Sequence, residues 1–524
     1  MDFMSEREKP DIFKATQDVT ILSIVDKGKE QLCFGNLSIE AGARLKKHTN
    51  AKSLDFILKF YNLAIWLLSS LLMAYLVIKD EKIYVLQGDH YRLRSFFSYQ
   101  FVSLLNGNLN VQPEALPGEC FYRDNNCYGY FGLAPSILRA PLYWFFGMGS
   151  YSALLNFVAN SLSMFVALKL LKYILLQVAK FSHLKIFSLV NKREKVFFSI
   201  FYISLALSIT GFSFLIQLTN PGAYEEAMSW YILFSLVGIY SFSKWILEGE
   251  TVLILISLVS LTLAANSRPG GGIIAVLIGI IGIVVSYQSS NLGKRSNYLP
   301  LISIILIPAG TALLVYYLKF HTLVPSLALN ESIPEHPDFA RLLESNKGVY
   351  VSPKYIPTNL LGYFRPDSLK LVGRSLEIAR PTYSKTPEIW PILPDSMYIT
   401  PTASAPVVAS VACYGFGFLM LSLIKRSFLT KTTRVNLYFK QNHLLVIPLL
   451  VLGGAIPTLM SFHMQNRYLG DFVPSLISIT SLMPTLLFIG SANLSSGKAA
   501  KGVFTIIVLT IIQGIVNFRL ALLY

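Results

Sequence analysis

Asp89, in the run Gly88-Asp89-His90-Tyr91, and the pair Glu225 and Glu226, in Asn220-Pro221-Gly222-Ala223-Tyr224-Glu225-Glu226-Ala227, are carboxylates set beside long apolar runs. A carboxylate held there can take a proton from a hydroxyl as a general base. It can equally cap a helix, because Asp is favoured at the N-cap and first-turn acids meet the positive end of the helix dipole. Two arginines stand in matching surroundings: Arg268 in Asn266-Ser267-Arg268-Pro269-Gly270-Gly271-Gly272, and Arg467 in Gln465-Asn466-Arg467-Tyr468-Leu469-Gly470-Asp471. A guanidinium grips phosphate with paired hydrogen bonds. Arg467 could instead pair with Asp471 one helical turn on, or reach to lipid headgroups. Acids and arginines of this kind suit a site that deprotonates one reactant while holding a phosphate of the other.

Between these acids lies Tyr128-Gly129-Tyr130-Phe131-Gly132-Leu133-Ala134-Pro135-Ser136-Ile137-Leu138-Arg139-Ala140-Pro141, aromatic at its start and then a short apolar ramp. Just before it, Cys120 and Cys127 flank Arg123-Asp124-Asn125-Asn126. In an oxidising compartment the two thiols would close a hairpin over that turn. Half of a metal site is the other use of such a pair, and it lacks nearby His or further Cys partners.

The elements that must position these residues are set by composition. Hydrophobic residues make up 53% of the 524 and charged residues 14%, and mean hydropathy is +0.52. One soluble core could not hide so much apolar surface. Windows long enough to cross roughly 30 Å of hydrocarbon run at 55–78, 149–171, 196–217, 228–247, 251–266, 270–288, 299–318, 405–424, 443–462, 472–491 and 502–522. The pattern predicts an all-α polytopic membrane protein with about eleven transmembrane helices.

Short basic loops stay on the cytoplasmic side. Arg44, Lys46 and Lys47 precede the first window, Lys185, Lys192 and Arg193 follow the second, Lys294 and Arg295 the sixth, and Lys425, Arg426 and Lys431 the eighth. With eleven spans all of these fall on one side, so the N-terminus is expected inside. Asp89, Glu225, Glu226, Arg268 and Arg467 are then expected on the outer face of a plasma or inner membrane. The formal charge of +16 is accounted for by this topology and by anionic-lipid contact, which argues against nucleic acid as a partner. Residues 1–54, polar and mixed in charge, read as a cytoplasmic extension, and 55–524 as the transmembrane domain. Two outer regions are long, 79–147 and 319–404. The first carries an apolar period at Phe97, Phe101, Leu104 and Leu105 that predicts an amphipathic helix lying on the membrane.

An acid shortly after span one, an amphipathic helix, and an aromatic-Gly-Pro ramp into span two resemble the GT-C superfamily of integral membrane glycosyltransferases that use polyprenyl-phosphate sugars. The similarity runs over Asp89-His90-Tyr91 to Asn106-Gly107-Asn108-Leu109, Tyr128 to Pro135, Tyr224 to Ala227, and Arg467-Tyr468-Leu469-Gly470-Asp471-Phe472-Val473-Pro474, motifs similar to those of a group of uncharacterised bacterial members. What the resemblance implies is a division of labour. Asp89 matches the acid that deprotonates the acceptor hydroxyl, Glu225 or Glu226 the acid of the second outer loop, and Arg268 and Arg467 the clamp on the donor phosphate. His90, Tyr128, Tyr130 and Tyr468 would line the substrates. The implied reaction inverts the anomeric centre and moves a sugar from a polyprenyl-phosphate carrier to an envelope glycan, lipid or protein. No cofactor is firmly implied. Many relatives place paired acids in the first loop, a divalent-metal arrangement, whereas here Asp89 is followed by His90. A glycan polymerase or ligase, and a transporter or flippase, are the alternative readings; the last would need charges buried in mid-helix.

Overall fold

The computed structural model describes residues 55–75, 77–78, 95–116, 120–149, 151–181, 192–211, 222–288, 298–323, 351–364, 369–372, 375–378, 408, 447, 452–460, 470–481 and 496–523. The 1–54 extension, Asp89, His90, Arg467 and Tyr468 lie outside them. In chain order the elements are α1 (Asp55–Tyr75), α2 (Phe96–Leu105), the hairpin β1 (Phe121–Arg123) and β2 (Asn126–Tyr128), α3 (Ala134–Leu138), α4 (Ala140–Phe146), α5 (Ser152–Phe181), α6 (Lys192–Thr210), α7 (Ala223–Glu248), α8 (Thr251–Ala265), α9 (Pro269–Gln288), α10 (Tyr298–Phe320), α11 (Ile356–Phe364), the hairpin β3 (Leu369–Val372) and β4 (Ser375–Ile378), α12 (Ile456–Leu459), α13 (473–481) and α14 (Ser496–Leu523).

Among the described residues, five helices are long and apolar enough to cross a membrane: α1, α5, α7, α9 and α10. The described residues are mostly helical, consistent with an all-α membrane protein. Outward faces of these helices are apolar, with Leu68 63% exposed on α1 and Leu299 73% exposed on α10. Such faces are stable against hydrocarbon and costly against water. The described part of the window at 196–217 and the window at 251–266 lie on α6 and α8, whose apolar stretches among the described residues, Phe198–Thr210 and Thr251–Ala265, are shorter than a full span. The region expected as a long loop at 319–404 carries α11 and the antiparallel β3–β4 pair, in the register Leu369 to Ile378.

Polar contacts fix the relative direction of the helices. Asn62 on α1 donates to the carbonyl of Leu168 on α5 (2.9 Å) and accepts from Tyr202 on α6 (2.6 Å). Farther along, Trp66 reaches Ser161 and Ser69 reaches Thr210. So α1 runs antiparallel to α5 and parallel to α6. Ser152 and Asn156 of α5 meet Glu226 and Ser229 of α7, and Tyr173 meets Tyr240, which makes α5 and α7 parallel. Ser204, Ser208 and Gly211 of α6 meet Thr510, Gln513 and Asn517 of α14 in rising order, another parallel pair. Glycines let α9 press on its neighbours: a Cβ on Gly271 would lie 2.4 Å from the carbonyl carbon of Ala264, and one on Gly282 would lie 2.4 Å from Leu301. Thus α1, α6 and α14 run one way and α5 and α7 the other.

One consequence fixes the geometry of everything below. The N-termini of α5, α7 and α9 and the C-termini of α8 and α10 all lie at one end of the helices, and the described residues between 96 and 149 form a cap there.

Candidate functional site

The cap is built on aromatic packing. Phe96, Phe97 and Phe131 meet with ring centroids 4.9, 5.2 and 5.5 Å apart. Around them sit Val111, Leu116, Cys120, Cys127, Ala223, Tyr224 and Ala227. The expected helix is present as α2, but Phe97 turns inward into this core, Phe101 is buried against Tyr143 and Trp144 of α4, and only Leu105 at its end is exposed. Rings available at hand in the cap outcompete lipid for that face. The exposed aromatic face belongs instead to α4, which buries none of its side chains and leaves Trp144, Phe145 and Phe146 out. It precedes α5 directly, which suits a helix seated at a membrane interface.

Cys120 and Cys127 form the expected disulfide, with Cα atoms 5.1 Å apart and both residues buried. The hairpin pairs Arg123 with Asn126, so its loop is Asp124-Asn125. Both residues have positive φ, 49° and 63°, the left-handed pair that a two-residue hairpin of this twist demands and that Asp and Asn tolerate.

The cap docks on α7 through rings. Tyr130 stacks on Phe131 at 4.4 Å, and Tyr224 of α7 meets them at 5.7 and 4.8 Å. Tyr130 and Tyr224, from two separate motifs, are therefore in contact. The adjacent acids Glu225 and Glu226 separate, since consecutive helix positions point about 100° apart. Glu225 is half-buried, and its Oε2 accepts from the Gly222 N–H at 3.1 Å, capping α7. Glu226 is fully buried against Arg139. Arg139 Nη2 binds Glu226 Oε2, and Arg139 Nε lies 3.3 Å from Oε1. Ser152 donates to Glu226 at 2.7 Å, while Arg139 also reaches Ser98 at 2.6 Å and Ser152 at 2.7 Å. The Glu226 oxygens are engaged by Arg139 and Ser152, and the pair ties cap to span.

A second docking joins the cap to the Asn266–Arg268 turn. The Ala134 N–H donates to the Asn266 carbonyl at 3.0 Å, and a Cβ on Gly132 would fall 1.8 Å from that oxygen. Only glycine allows this approach. Next in the turn, Arg268 forms a two-point pair with Asp471: Nε to Oδ1 and Nη2 to Oδ2, both 3.0 Å. Thr458 also donates to Asp471 Oδ2, and Tyr231 donates to its backbone carbonyl at 3.5 Å. Arg268, which the resemblance made a holder of the donor phosphate, here has its fork on a carboxylate that it matches in both spacing and charge. Asn359 of α11 donates to Leu459 at 2.8 Å, and Tyr363 packs on Phe472, so part of the 319–404 region lies against this same segment.

A third docking was not foreseen. Lys319, at the end of α10, is 1% exposed, and its ammonium donates to the carbonyls of Gly129 (3.0 Å) and Phe131 (2.6 Å). Beside it Arg123 donates to the Phe320 carbonyl, and the Phe320 ring meets Phe121 and Tyr128, each at 6.1 Å. Lys319 read as the start of the long outer region 319–404, and Arg139 as part of a ramp. The only sequence signal for either was a charge standing inside an otherwise apolar stretch.

The described geometry thus brings Tyr128, Tyr130, Glu225, Glu226 and Arg268 to one end of the helices. It joins Cys120 to Cys127, and it leaves Asp89, His90, Arg467 and Tyr468 outside the described residues. Among the described residues, no three His, Cys, Asp or Glu side chains cluster as metal ligands. Comparison with known proteins matches neither a family model nor a curated protein to this chain.

Proposed function

We propose that the chain is a membrane glycosyltransferase of GT-C type, with about eleven spans and its N-terminus inside, acting at the outer face on a polyprenyl-phosphate sugar. One observation carries the reading. Three segments singled out for chemistry, Tyr128–Pro135, Tyr224–Ala227 and Asn266–Arg268, far apart in the chain, are packed into a single layer at one end of the helices, through Tyr130 on Tyr224 and Gly132 on Asn266. A lipid-linked sugar keeps its chain in the bilayer and its reacting carbon near the surface, so the reacting groups must converge at that depth.

Asp89 takes the proton of an acceptor hydroxyl. The acceptor oxygen attacks the anomeric carbon from the face opposite the phosphate, the carbon–oxygen bond to phosphate breaks, and the polyprenyl phosphate leaves with the electron pair. Arg467 holds the departing phosphate. Arg268 acts one step back: by gripping Asp471 it fixes the segment that carries Arg467. Glu225, half-buried at the start of α7, is the second acid of the layer. The charged pairs Arg139–Glu226 and Arg268–Asp471 sit at this end, which supports surface chemistry over a transport path through mid-helix. The acceptor would be an envelope glycan, lipid or protein.

The test is transfer itself. Purified protein in lipid nanodiscs is incubated with labelled polyprenyl-phosphate sugars and an envelope extract. Label moving to acceptor, with free polyprenyl phosphate released in equal amount, supports the reading; no release from any such donor overturns it.

A further inference from the structure

We infer that Lys319 is a positioning residue that latches the Gly129–Phe131 segment, and with it Tyr128 and Tyr130, onto the end of α10. The inference rests on the glycosyltransferase reading only for what the latch serves; the latch itself is argued from contacts.

The chain leaves β2 at Tyr128 and bends at Tyr130 and Phe131, and the carbonyls of Gly129 and Phe131 face one ammonium. Neither is part of the β1–β2 pairing, whose register ends at Phe121 opposite Tyr128. One ammonium fills both, with donor distances of 3.0 and 2.6 Å, and a lysine has three donors on a rotating head to do so. Such charge-assisted bonds are roughly twice as strong as neutral ones. They need to be, because the cation is 1% exposed, and among the described residues it makes no ion pair. An ammonium buried without a counter-charge is costly, and among the described residues its hydrogen-bond partners both belong to the cap. Releasing the cap would strip it of both partners, so Lys319 and the segment hold each other.

Neighbouring contacts point the same way. Arg123 closes on the Phe320 carbonyl, where a cation also favours the negative end of the α10 dipole. Phe320 packs on Phe121 and Tyr128 from the two strands. Lys319 and Phe320 thus engage both strands of the hairpin and the segment after it. On the far side of that segment Tyr130 meets Tyr224, next to Glu225, so a shift of the latch moves the rings proposed to contact substrate.

The hairpin disulfide reports the latch independently of activity. Cys120 and Cys127 are 3% and 2% exposed, so a phosphine reductant reaches them only when the hairpin opens. With full-length protein in nanodiscs, Lys319→Met is expected to raise the reduction rate about tenfold through more frequent local opening, with Lys319→Arg returning most of the protection. The melting temperature should stay close to wild type. In the transfer assay, the donor KM of Lys319→Met should rise about tenfold with kcat largely kept, because misplaced rings weaken binding while an inactive fraction would lower kcat alone. Should Lys319→Met not fold, Lys319→Gln carries the test with a smaller rise in reduction rate, about threefold. A folded Lys319→Met or Lys319→Gln reduced at the wild-type rate overturns the latch. If wild type transfers no sugar, the glycosyltransferase reading fails while the reduction rates still decide the latch.

Discussion

Arg268 and Asp471, 203 positions apart in the chain, meet in a two-point pair with both contacts at 3.0 Å. The pair closes the turn between α8 and α9 onto the start of the 470–481 segment, and it is nearly buried. Breaking one side of such a pair leaves a buried charge uncompensated, which costs about 3 to 5 kcal/mol. Asp471→Ala is therefore expected to lower thermal stability far more than Thr458→Ala, which removes one hydrogen bond worth roughly 1 kcal/mol. Restored stability in Arg268→Met/Asp471→Leu would show that the loss comes from the unpaired charge. Equal melting of Asp471→Ala and Thr458→Ala would show that the pair contributes little.

Glu225 and Glu226 are neighbours with opposite expected phenotypes. Glu226→Gln leaves Arg139 without its counter-charge and should destabilise the fold by about 3 to 5 kcal/mol. Glu225→Gln keeps a group able to cap Gly222 and should melt near wild type, while its transfer rate drops about tenfold or more. The same thermal and transfer assays on both variants check this, and reversed phenotypes would exchange the two roles.

Gly132→Ala places a methyl 1.8 Å from the Asn266 carbonyl oxygen. Both sides of that contact are backbone, so the cap must lift. We expect large losses of stability and transfer. The control is Gly310→Ala, whose Cβ would meet nothing within 4 Å and which replaces a helical glycine, so it should be neutral or slightly stabilising.

The Cys120–Cys127 bridge closes a loop with a separation of 7 residues. In the chain-entropy picture so short a loop contributes only about 2 kcal/mol. Cys120→Ser should lower the melting temperature and activity while membrane insertion continues. Two free thiols in protein purified without reductant, counted by mass spectrometry, would contradict the bridge.

What was legible in the sequence followed from local rules. The windows at 228–247, 270–288 and 299–318 fold as α7, α9 and α10 within a few residues, because apolar length decides a span without reference to anything distant. The hairpin was legible because Asp124-Asn125 suits its turn and the cysteines flank it. The pairing of charges was not. Periodicity relates residues a turn apart on one helix, so it offered Asp471 to Arg467, whereas tertiary packing gave it to Arg268. In the same way Glu226 found Arg139 from another segment, and the inward turn of α2 depended on Phe131, well outside that helix. Only the three-dimensional arrangement of the cap decides those partners.

The measurement that bears most directly on the central claim is sugar transfer by Asp89→Asn. The purified variant, with wild-type melting behaviour and donor binding, is assayed beside wild type on a polyprenyl-phosphate sugar that wild type uses. If Asp89 takes the acceptor proton, turnover falls by about two to four orders of magnitude, the usual effect of a lost general base. Transfer at the wild-type rate by folded Asp89→Asn would contradict the account and return Asp89 to the role of a helix cap.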